Sequence, residues 1–352
     1  MGEKRDLRLS SILIKWYEDN KRDLPWRNTR DPYTIWISEI ILQQTRVNQG
    51  YGYFNRFIEK YPTVDLLATA NEDEVLKLWQ GLGYYSRARN LHAAAKMTMN
   101  RFNGKFPDNY KDILSLKGVG EYTAAAIASF AYRKPYAVVD GNVYRVLSRI
   151  YMIDTPINTN QGKKIFAQLA QSLLDTCNPG EHNQSIMEFG ALQCVPVNPD
   201  CISCPAQDIC LAFNAKKVKN YPYKEKKQKV KERYFAYIDI RLGGDMFIHK
   251  RTSKDIWHNL YELPLIETEK ELDIDTLLNN ADFKKILNNN TNIQIKYINK
   301  FKHILSHQII YASFYKVEIN EFIFDSEYLK INVNDVENYP VSRLVHKYLE
   351  NL

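Results

Sequence analysis

Residues 116–132, LKGVGEYTAAAIASFAY, predict the end of one helix, a glycine-containing turn and the start of a second helix. Gly118 and Gly120 permit the tight backbone geometry and close approach that such a turn needs. The free N–H groups and positive dipole end of the second helix would form an anion site. A simple helix–helix turn requires similar residues, so this stretch alone is compatible with either role.

Two carboxyl groups lie in informative positions on either side of this turn. Asp140, in AVVDGNVYRVLSRI (residues 137–150), follows an apolar run at a predicted helix start, where helix capping is the simpler role. Glu39 is the only charged residue in YTIWISEIILQQ (residues 33–44). Apolar surroundings raise the pKa of a carboxyl group, which suits a general acid. An exposed position on an amphipathic helix is an equally good interpretation of Glu39.

Four of the five cysteines are clustered in the sequence with the spacing C-x6-C-x2-C-x5-C. In a chain without a visible secretion signal, clustered cysteines indicate a metal site rather than disulfides. Thiolates suit zinc or an iron–sulfur cluster, and the spacing favours a cluster without deciding between them. The four candidate ligands are Cys194, Cys201, Cys204 and Cys210. Cys177 stands apart, and we expect it to be a buried apolar residue.

Composition and charge describe an ordinary globular chain with one basic segment. The chain has 352 residues, of which 45% are hydrophobic and 25% charged. This composition excludes global disorder, and no apolar run is long enough to span a membrane. We expect a cytoplasmic protein, associated with the nucleoid if it is bacterial. Residues 214–233 carry 9 Lys/Arg against 2 Asp/Glu, which favours a solvated linker over a polyanion-binding segment.

The periodicity of apolar residues changes along the chain. Steps of three and four residues predict helices from residue 7 to about 190. Beyond residue 233 the period becomes two, with a hairpin turn at Gly243-Gly244, a helix over 275–287 and strands over 293–298 and 309–319. The predicted domains are residues 1–213 and 234–352, joined by a linker at 214–233. Predicted helices cover 7–19, 33–44, 51–60, 64–70, 72–78, 86–102, 110–115, 121–131, 143–150, 162–174 and 183–191.

Several motifs occur together in one order and carry a resemblance. SEIILQQTRV, GLGYYSRARNLHAAA, LKGVGEYTAAA, VDGN and the four-cysteine pattern span most of residues 26–210. As a set they resemble the endonuclease III superfamily of DNA glycosylases, and more closely the MutY-type adenine DNA glycosylases. The resemblance implies a multidomain α plus α/β protein. An all-helical helix-hairpin-helix glycosylase domain with an iron–sulfur loop would precede a Nudix-like mixed α/β domain.

One hairpin position separates the subfamilies of this superfamily. Endonuclease III carries a lysine there that forms a Schiff base with the sugar, whereas this sequence has Tyr122. A phenol cannot form an imine, so we expect a monofunctional glycosylase without strand-cleaving activity. Some thymine mismatch glycosylases of the superfamily also have tyrosine at this position, and a G:T thymine glycosylase therefore stays an alternative. A non-catalytic iron–sulfur protein that binds DNA or senses redox state is a third.

The C-terminal block favours the adenine enzymes, whose Nudix-like domain inspects 8-oxoguanine opposite the adenine. DIWHNLYELPLIE (residues 255–267) resembles a landmark of that domain, and the signature of nucleotide hydrolysis is absent from the sequence. The family's F-S-H reading loop corresponds to Leu305-Ser306-His307, in which leucine replaces the aromatic residue. An ordinary hydroxyl at a strand edge is the alternative for Ser306, ranked slightly behind the reading role.

The resemblance also implies a role for each matching residue. Glu39 would protonate the adenine, Asp140 would stabilise the cationic sugar, and Tyr122 and Asn142 would position Asp140 and the water. The cysteines would bind a 4Fe–4S cluster. The substrate would be double-stranded DNA with adenine opposite 8-oxoguanine or guanine, bound by a monomer. The DNA contacts implied or expected are Arg27, Gln44, Leu82, Tyr84, Gly118, Gly120, Ser306 and His307.

Overall fold

The protein is described by a computed structural model that covers residues 7–225, 230–321 and 327–351. Two compact units divide the chain. The first consists of Met1–Thr69 and Asn90–Lys227, and the second of Ala70–Arg89 and Gln228–Leu352. Part of the predicted linker, residues 226–229, lies outside the described residues.

The first unit is helical, as the three- and four-residue spacing predicts. Its helices are α1 (Leu7–Asn20), α2 (Pro32–Leu42), α3 (Val47–Lys60), α4 (Val64–Thr69), most of α6 (Ser86–Phe102), α7 (Tyr110–Ser115), α8 (Glu121–Phe130), α9 (Gly141–Tyr151), α10 (Asn160–Leu173), α11 (Pro179–Leu192) and α12 (Leu211–Asn214). The short helix α5 (Glu72–Leu78) belongs to the second unit. The helical architecture predicted for this part of the chain is confirmed.

A glycine controls the turn between α7 and α8. Gly118 has a φ of 81°, in the left-handed region that L residues with a side chain rarely adopt. A Cβ atom at this position would also lie 2.6 Å from Cβ of Asn90. Two features therefore require glycine at this position: the positive φ angle and the close approach of α6, which leaves no room for a side chain.

The core of the first unit forms where α8, α9, α10 and α11 converge with α1. Leu13, Ala126, Val146, Phe166 and Phe189 are buried there. Because α8 and α9 both contribute apolar residues to this cluster, their N-terminal residues are held in a fixed relationship to each other. These two N-termini carry Tyr122 and Asp140.

The second unit contains a mixed sheet with helices on its two faces. Its main path runs β3-β2-β1-β6-β5, with β4 paired to β1 and β7 to β2. The strands are β1 (Lys231–Leu242), β2 (Asp245–Lys250), β3 (Tyr261–Glu262), β4 (Leu265–Thr268), β5 (Ile293–Ile304), β6 (Gln308–Ile319) and β7 (Leu329–Asn332). β1 and β6 are parallel, whereas β1 and β2 form the predicted antiparallel hairpin.

Alternation along the strands produces two apolar clusters, one on each face of the sheet. One cluster joins Phe235 and Phe314 to α15 (Arg343–Leu349) through Tyr348. The other joins Ile238 to α13 (Ile274–Asn279) and α14 (Ala281–Ile286). The prediction of a single helix over 275–287 was wrong. Asn280 leaves the helical conformation and caps α14 by accepting hydrogen bonds from the N–H groups of Asp282 and Phe283.

Residues 70–89 belong to the second unit because polar contacts hold them there. Lys250 Nζ lies 2.6 Å from Asp73 Oδ1, and Tyr261 donates a hydrogen bond to the other oxygen of the same carboxylate. Tyr85 donates to the carbonyl oxygen of Val341. Among the described residues, no helix is long and apolar enough to cross a membrane.

Candidate active site

Glu39 is a buried carboxyl group on α2. The helix has buried apolar residues such as Ile35, Trp36 and Ile40 on nearly every side. It therefore has no solvent-exposed polar face on which the Glu39 side chain could lie. Burial raises the pKa of Glu39 to about 7, the charge of Asp140 adds to the increase, and a hydrogen bond with Tyr122 opposes it. A carboxyl group with this pKa can donate a proton near neutral pH.

Asp140 caps α9 and accepts three hydrogen bonds. Its Oδ1 atom accepts from the main-chain N–H groups of Asn142 at 2.9 Å and Val143 at 2.8 Å. Its Oδ2 atom accepts from Nδ2 of Asn142 at 2.7 Å. Burial raises the pKa of Asp140, while these hydrogen bonds and the charge of Arg145 lower it, with a net increase. Asp140 therefore has the capping role that the sequence suggests, and it also lines the same cavity as Glu39.

Tyr122 lies close enough to both carboxyl groups for their charges to affect its pKa. Burial raises its pKa well above the ordinary value, and the charges of Glu39 and Asp140 raise it further. The phenol therefore stays protonated and acts as a hydrogen-bond donor rather than as a base. Its hydroxyl group is also 3.9 Å from Sδ of Met187 on α11.

Glu188 was not predicted as a site residue, yet it is the most strongly paired carboxylate of the cavity. Arg22 donates to it from Nε at 2.8 Å and from Nη2 at 2.6 Å. Arg27 donates from Nη1 at 3.0 Å and from Nη2 at 2.7 Å. Burial alone would raise the pKa of Glu188, but the two arginines lower it to about 2. A signal was present in the sequence, because Glu188 is the only charged residue in the stretch 183–192.

These groups line one cavity of about 510 Å³ in the first unit, the candidate active-site cavity. Of the predicted residues, the cavity brings together Glu39, Tyr122, Asp140, Asn142 and Arg27. Arg27 was expected to contact DNA, but its guanidinium group forms an ion pair with Glu188 in the wall of this cavity. The cavity thus combines a protonatable carboxyl group, a hydrogen-bonded carboxylate and a neutral phenol.

A hydrogen-bonded chain connects the cavity to the cysteine-rich loop. Arg145 donates from Nε to the carbonyl oxygen of Cys194 at 2.7 Å and from Nη2 to Oδ1 of Asn142 at 2.8 Å. Arg149 donates to the sulfur of Cys194 at 3.3 Å and to the carbonyl oxygen of Val195 at 2.8 Å. The loop and the carboxylate of Asp140 therefore share a rigid set of polar contacts.

The four predicted cysteine ligands converge on one small cavity, and Phe189 and Phe213 contribute to its lining. Their thiols are close enough to affect one another's ionisation: burial raises the pKa of Cys204 to about 11, with smaller contributions from the other three. Among the described residues, no group of three or more His, Cys, Asp or Glu is arranged to hold a single metal ion. Four cysteine thiols that line one cavity are the ligand type that an iron–sulfur cluster requires. Cys177 is exposed, so its predicted burial was wrong.

At the predicted anion site, the main chain at the start of α8 is not covered by a capping side chain from the described residues. Gly120 is the N-terminal capping residue, and within the described part of the chain no side chain caps this end of the helix. Among the described residues, no atom lies within 4 Å of the position that a Cβ of Gly120 would take. Gln44, two residues beyond the end of α2, is exposed and has a φ of 57°.

The other predicted DNA contacts lie in the second unit. Tyr84 is half exposed with a φ of 48°, and its hydroxyl group is hydrogen-bonded to that of Ser306. His307 is exposed, and its carbonyl oxygen accepts from the N–H group of Lys231. Leu82 is buried, with 7% of its surface exposed. The structure therefore brings together Tyr84 and Ser306, two residues that are 222 positions apart in the sequence.

Comparison with known proteins identifies the family. Residues 37–173 match the family described as HhH-GPD superfamily base excision DNA repair protein, and residues 236–351 match the NUDIX domain family. The chain is 34% identical over 347 residues to the adenine DNA glycosylase of Buchnera aphidicola from Acyrthosiphon pisum, covering 97% of both proteins. The chain belongs to the adenine DNA glycosylase family. The enzyme is 42% identical to human adenine DNA glycosylase over 210 residues, 57% of this chain and 38% of the human protein.

Solved structures agree with the helical part of the glycosylase. A thermostable thymine-DNA glycosylase matches with a TM-score of 0.55 and 32% identity, over 59% of this chain and 96% of that protein. An endonuclease III–DNA complex matches with a TM-score of 0.52 and 22% identity, over 61% of this chain and 99% of that protein. The predicted MutY-type family, the two-part fold class and the glycosylase class of enzyme are confirmed.

Proposed function

We propose that the enzyme hydrolyses the N-glycosidic bond of adenine mispaired with 8-oxoguanine or guanine in double-stranded DNA, and stops at the abasic site. The observation that carries this proposal is the pairing of two carboxyl groups in one cavity. Glu39 has a pKa of about 7, whereas Asp140 accepts three hydrogen bonds. Two carboxyl groups held in different protonation states are the usual requirement for cleaving a glycosidic bond.

Glu39 is the general acid of the proposed reaction. Adenine is a poor leaving group as an anion, so a proton delivered to N7 lowers the barrier to breaking the bond between N9 and C1′. Tyr122 orients the acid through its hydrogen bond. After the base has left, water adds its hydroxyl group to C1′, and Glu39, now ionised, accepts the released proton.

Asp140 is the electrostatic stabiliser of the proposed reaction. The sugar develops positive charge at C1′ as the base leaves, and an ionised carboxylate lowers the energy of that state. This role requires Asp140 to be ionised, and three donated hydrogen bonds favour its charged form and oppose the effect of burial on its pKa. Asn142 supplies two of these bonds and so acts as a positioning residue.

The absence of an amine at the hairpin position supports monofunctional chemistry. Tyr122 remains a protonated phenol because burial and two nearby carboxyl groups raise its pKa well above the ordinary value. A protonated phenol cannot attack C1′ to form an imine, so the abasic sugar keeps its 3′ phosphate bond. The product would be an intact strand that breaks only when it is treated with alkali.

DNA binding is assigned to backbone amides and exposed side chains. The uncapped N-terminus of α8 offers free N–H groups and a positive dipole end to one phosphate. Glycosylases must turn the target nucleotide out of the duplex. The exposed side chains of Tyr84 and Gln44 are assigned to the space that this nucleotide leaves in the base stack. Ser306 and His307 are assigned to the recognition of the opposite base.

We further propose that Cys194, Cys201, Cys204 and Cys210 hold a 4Fe–4S cluster. When bound, the cluster would serve as a structural cross-link for residues 194–210. Cys201→Ser should weaken DNA binding by about tenfold or more while the single-turnover rate at saturating enzyme changes less. Cys177→Ser is the matched control because Cys177 is exposed and lies outside the cluster cavity. Equal losses of binding and rate, or no loss of either, would contradict this assignment.

The substrate assignment is tested by single-turnover base release from three duplexes, with adenine opposite 8-oxoguanine, adenine opposite guanine, and thymine opposite guanine. Each reaction is analysed with and without alkali. We expect adenine release that is fastest opposite 8-oxoguanine and visible only after alkaline cleavage. Release of thymine alone would favour the alternative of a thymine glycosylase, the activity in the name of the thermostable thymine-DNA glycosylase that is 32% identical. No release from any duplex would contradict an enzymatic role.

A further inference from the structure

A second cavity of about 510 Å³ lies in the first unit beside the active-site cavity. The two share four lining residues, which form a wall between them: Arg22, Arg27, Phe130 and Gln184. The catalytic carboxyl groups line only the active-site cavity. The residues that line only the second cavity include Lys21, Arg30, Arg133 and Asn178, all of which are exposed. The second cavity therefore opens to solvent.

The position of this cavity along α8 separates it from the proposed DNA contact. Gly120 precedes the first residue of α8, whereas Phe130 is the last residue of this helix and lines the second cavity. A helix of 10 residues spans about 15 Å at 1.5 Å per residue. An opening at the far end of α8 stays accessible when DNA occupies the glycine turn at its start.

One side chain of the wall can move without leaving a buried charge unpaired. Glu188 has only 1% of its side chain exposed and is bound by both Arg22 and Arg27. Arg27 is 13% exposed, whereas Arg22 is 34% exposed and contributes to both cavities. If Arg22 swings into solvent, Arg27 still neutralises Glu188 through two hydrogen bonds. Arg22 is thus the weakest part of the wall.

The lining of the second cavity suits a free purine base. Its volume lies in the range of small-molecule sites. Tyr17 and Phe130 supply aromatic rings, and the guanidinium groups of Arg30 and Arg133 supply flat cationic surfaces on which bases stack. Gln184 accepts a hydrogen bond from Tyr17 at 2.7 Å through its oxygen, and its amide nitrogen is a donor for the ring nitrogens of a base.

We propose that the second cavity is the exit site for the excised adenine, which passes Arg22 and leaves while the DNA is still bound. The inference rests on the proposed release of adenine. After cleavage, the abasic sugar fills the mouth through which the base entered, so a base confined to the active-site cavity could leave only after the DNA. A second opening removes that constraint and prevents the released base from recombining with the sugar.

The experiment uses the full-length enzyme in excess over a duplex whose mispaired adenine is radiolabelled. Three quantities are followed over time: total cleavage after a denaturing quench, labelled base in the filtrate of the intact complex, and DNA retained with the protein. For the wild type, we expect free base to appear with the rate of cleavage and well before DNA dissociates. Total cleavage tests the proposed function separately, because it does not depend on where the base goes.

Blocking variants test the route. Asn178→Trp adds a large ring to the second cavity and should leave total cleavage unchanged while slowing the appearance of free base at least tenfold, toward the rate of DNA dissociation. Arg30→Trp is a second blocking variant in case the first does not fold. Cys177→Trp adds the same ring next to Asn178 but outside the cavity, and should behave as the wild type. Free base that appears only as DNA dissociates in the wild type, or wild-type release by both folded blocking variants, would overturn the proposal.

Discussion

Arg145 donates a hydrogen bond of 2.7 Å from Nε to the main-chain carbonyl oxygen of Cys194. The same guanidinium group donates to Asn142, which in turn donates to Asp140. Two side chains, those of Arg145 and Asn142, therefore connect Cys194 of the loop to the proposed catalytic carboxylate of Asp140. Arg145 therefore links the loop to the side chain that orients Asp140.

Arg145→Lys should lower the rate of base release by roughly 10²-fold, because the single ammonium nitrogen of lysine cannot take the positions of both Nε and Nη2, and small misplacements of catalytic groups have effects of this size. DNA affinity should change much less. The measurement is single-turnover base release at saturating enzyme, alongside a binding titration with uncleaved substrate analogue.

Arg149→Lys is the matched control for this prediction. Arg149 also contacts Cys194 and donates to the carbonyl oxygens of Val195 and Pro196, but its hydrogen bonds do not include Asn142. We expect this variant to affect DNA binding more than the rate. Identical behaviour of the two variants would show that the connection to Asn142 has no role of its own.

Glu39 gives the enzyme a predictable pH dependence. Its pKa of about 7 means that the acid form is abundant below pH 7 and is lost above it. The single-turnover rate should therefore fall about tenfold per pH unit on the alkaline side. Glu39→Gln should abolish this dependence and lower the rate by about 10²- to 10⁴-fold. A rate in the wild type that stays constant from pH 6 to 9 would contradict the role of Glu39 as acid.

The same raised pKa predicts that Glu39 lowers the stability of the fold at high pH. A carboxyl group whose pKa is raised in the folded state favours folding below its unfolded pKa, and this advantage is lost as pH rises through about 7. From the ordinary value of 4.5 to about 7, the difference is about 3 kcal/mol. Glu39→Gln should raise the free energy of unfolding at pH 8 by up to that amount and change it little at pH 4. Glu121→Gln, at an exposed position, is the control for denaturant unfolding.

Ser306 is expected to set the preference for the oxidised base. Ser306→Ala removes the hydroxyl group that is hydrogen-bonded to Tyr84, and should reduce the ratio of rates for adenine opposite 8-oxoguanine and opposite guanine by about tenfold. The rate opposite guanine should stay unchanged. Ser253→Ala removes an exposed hydroxyl group elsewhere in the second unit and is the control. An unchanged ratio would support the alternative of an ordinary strand-edge serine.

The sequence was most informative where one residue differs from its surroundings. Glu39 stands alone in an apolar helix, and Asp140 follows an apolar run at a helix start, so local sequence is enough to single out both residues. Glu188 is the only charged residue in the stretch 183–192 of α11, but its partner Arg22 is 166 positions away, and only the folded chain brings the two together. The pairing of Tyr84 with Ser306 is hidden from local patterns for the same reason.

Two expectations failed because local patterns leave tertiary context undetermined. Cys177 was expected to be buried on the basis of residue type, yet it follows the end of α10 in an exposed turn. The helix over 275–287 is interrupted because Asn280 hydrogen-bonds to the next turn in preference to continuing the first helix. Asparagine is a frequent capping residue, so this break had a local signal.

The pair of carboxyl groups is the central claim, and Asp140→Asn tests it most directly. Asparagine caps a helix as well as aspartate does, so α9 should remain intact while the negative charge is lost. The measurement is single-turnover release of adenine opposite 8-oxoguanine, with binding of the same duplex determined in parallel. We predict a loss in rate of roughly 10³-fold or more with nearly unchanged affinity. Base release at close to the wild-type rate, or loss of binding in parallel with the rate, would contradict a catalytic role for Asp140.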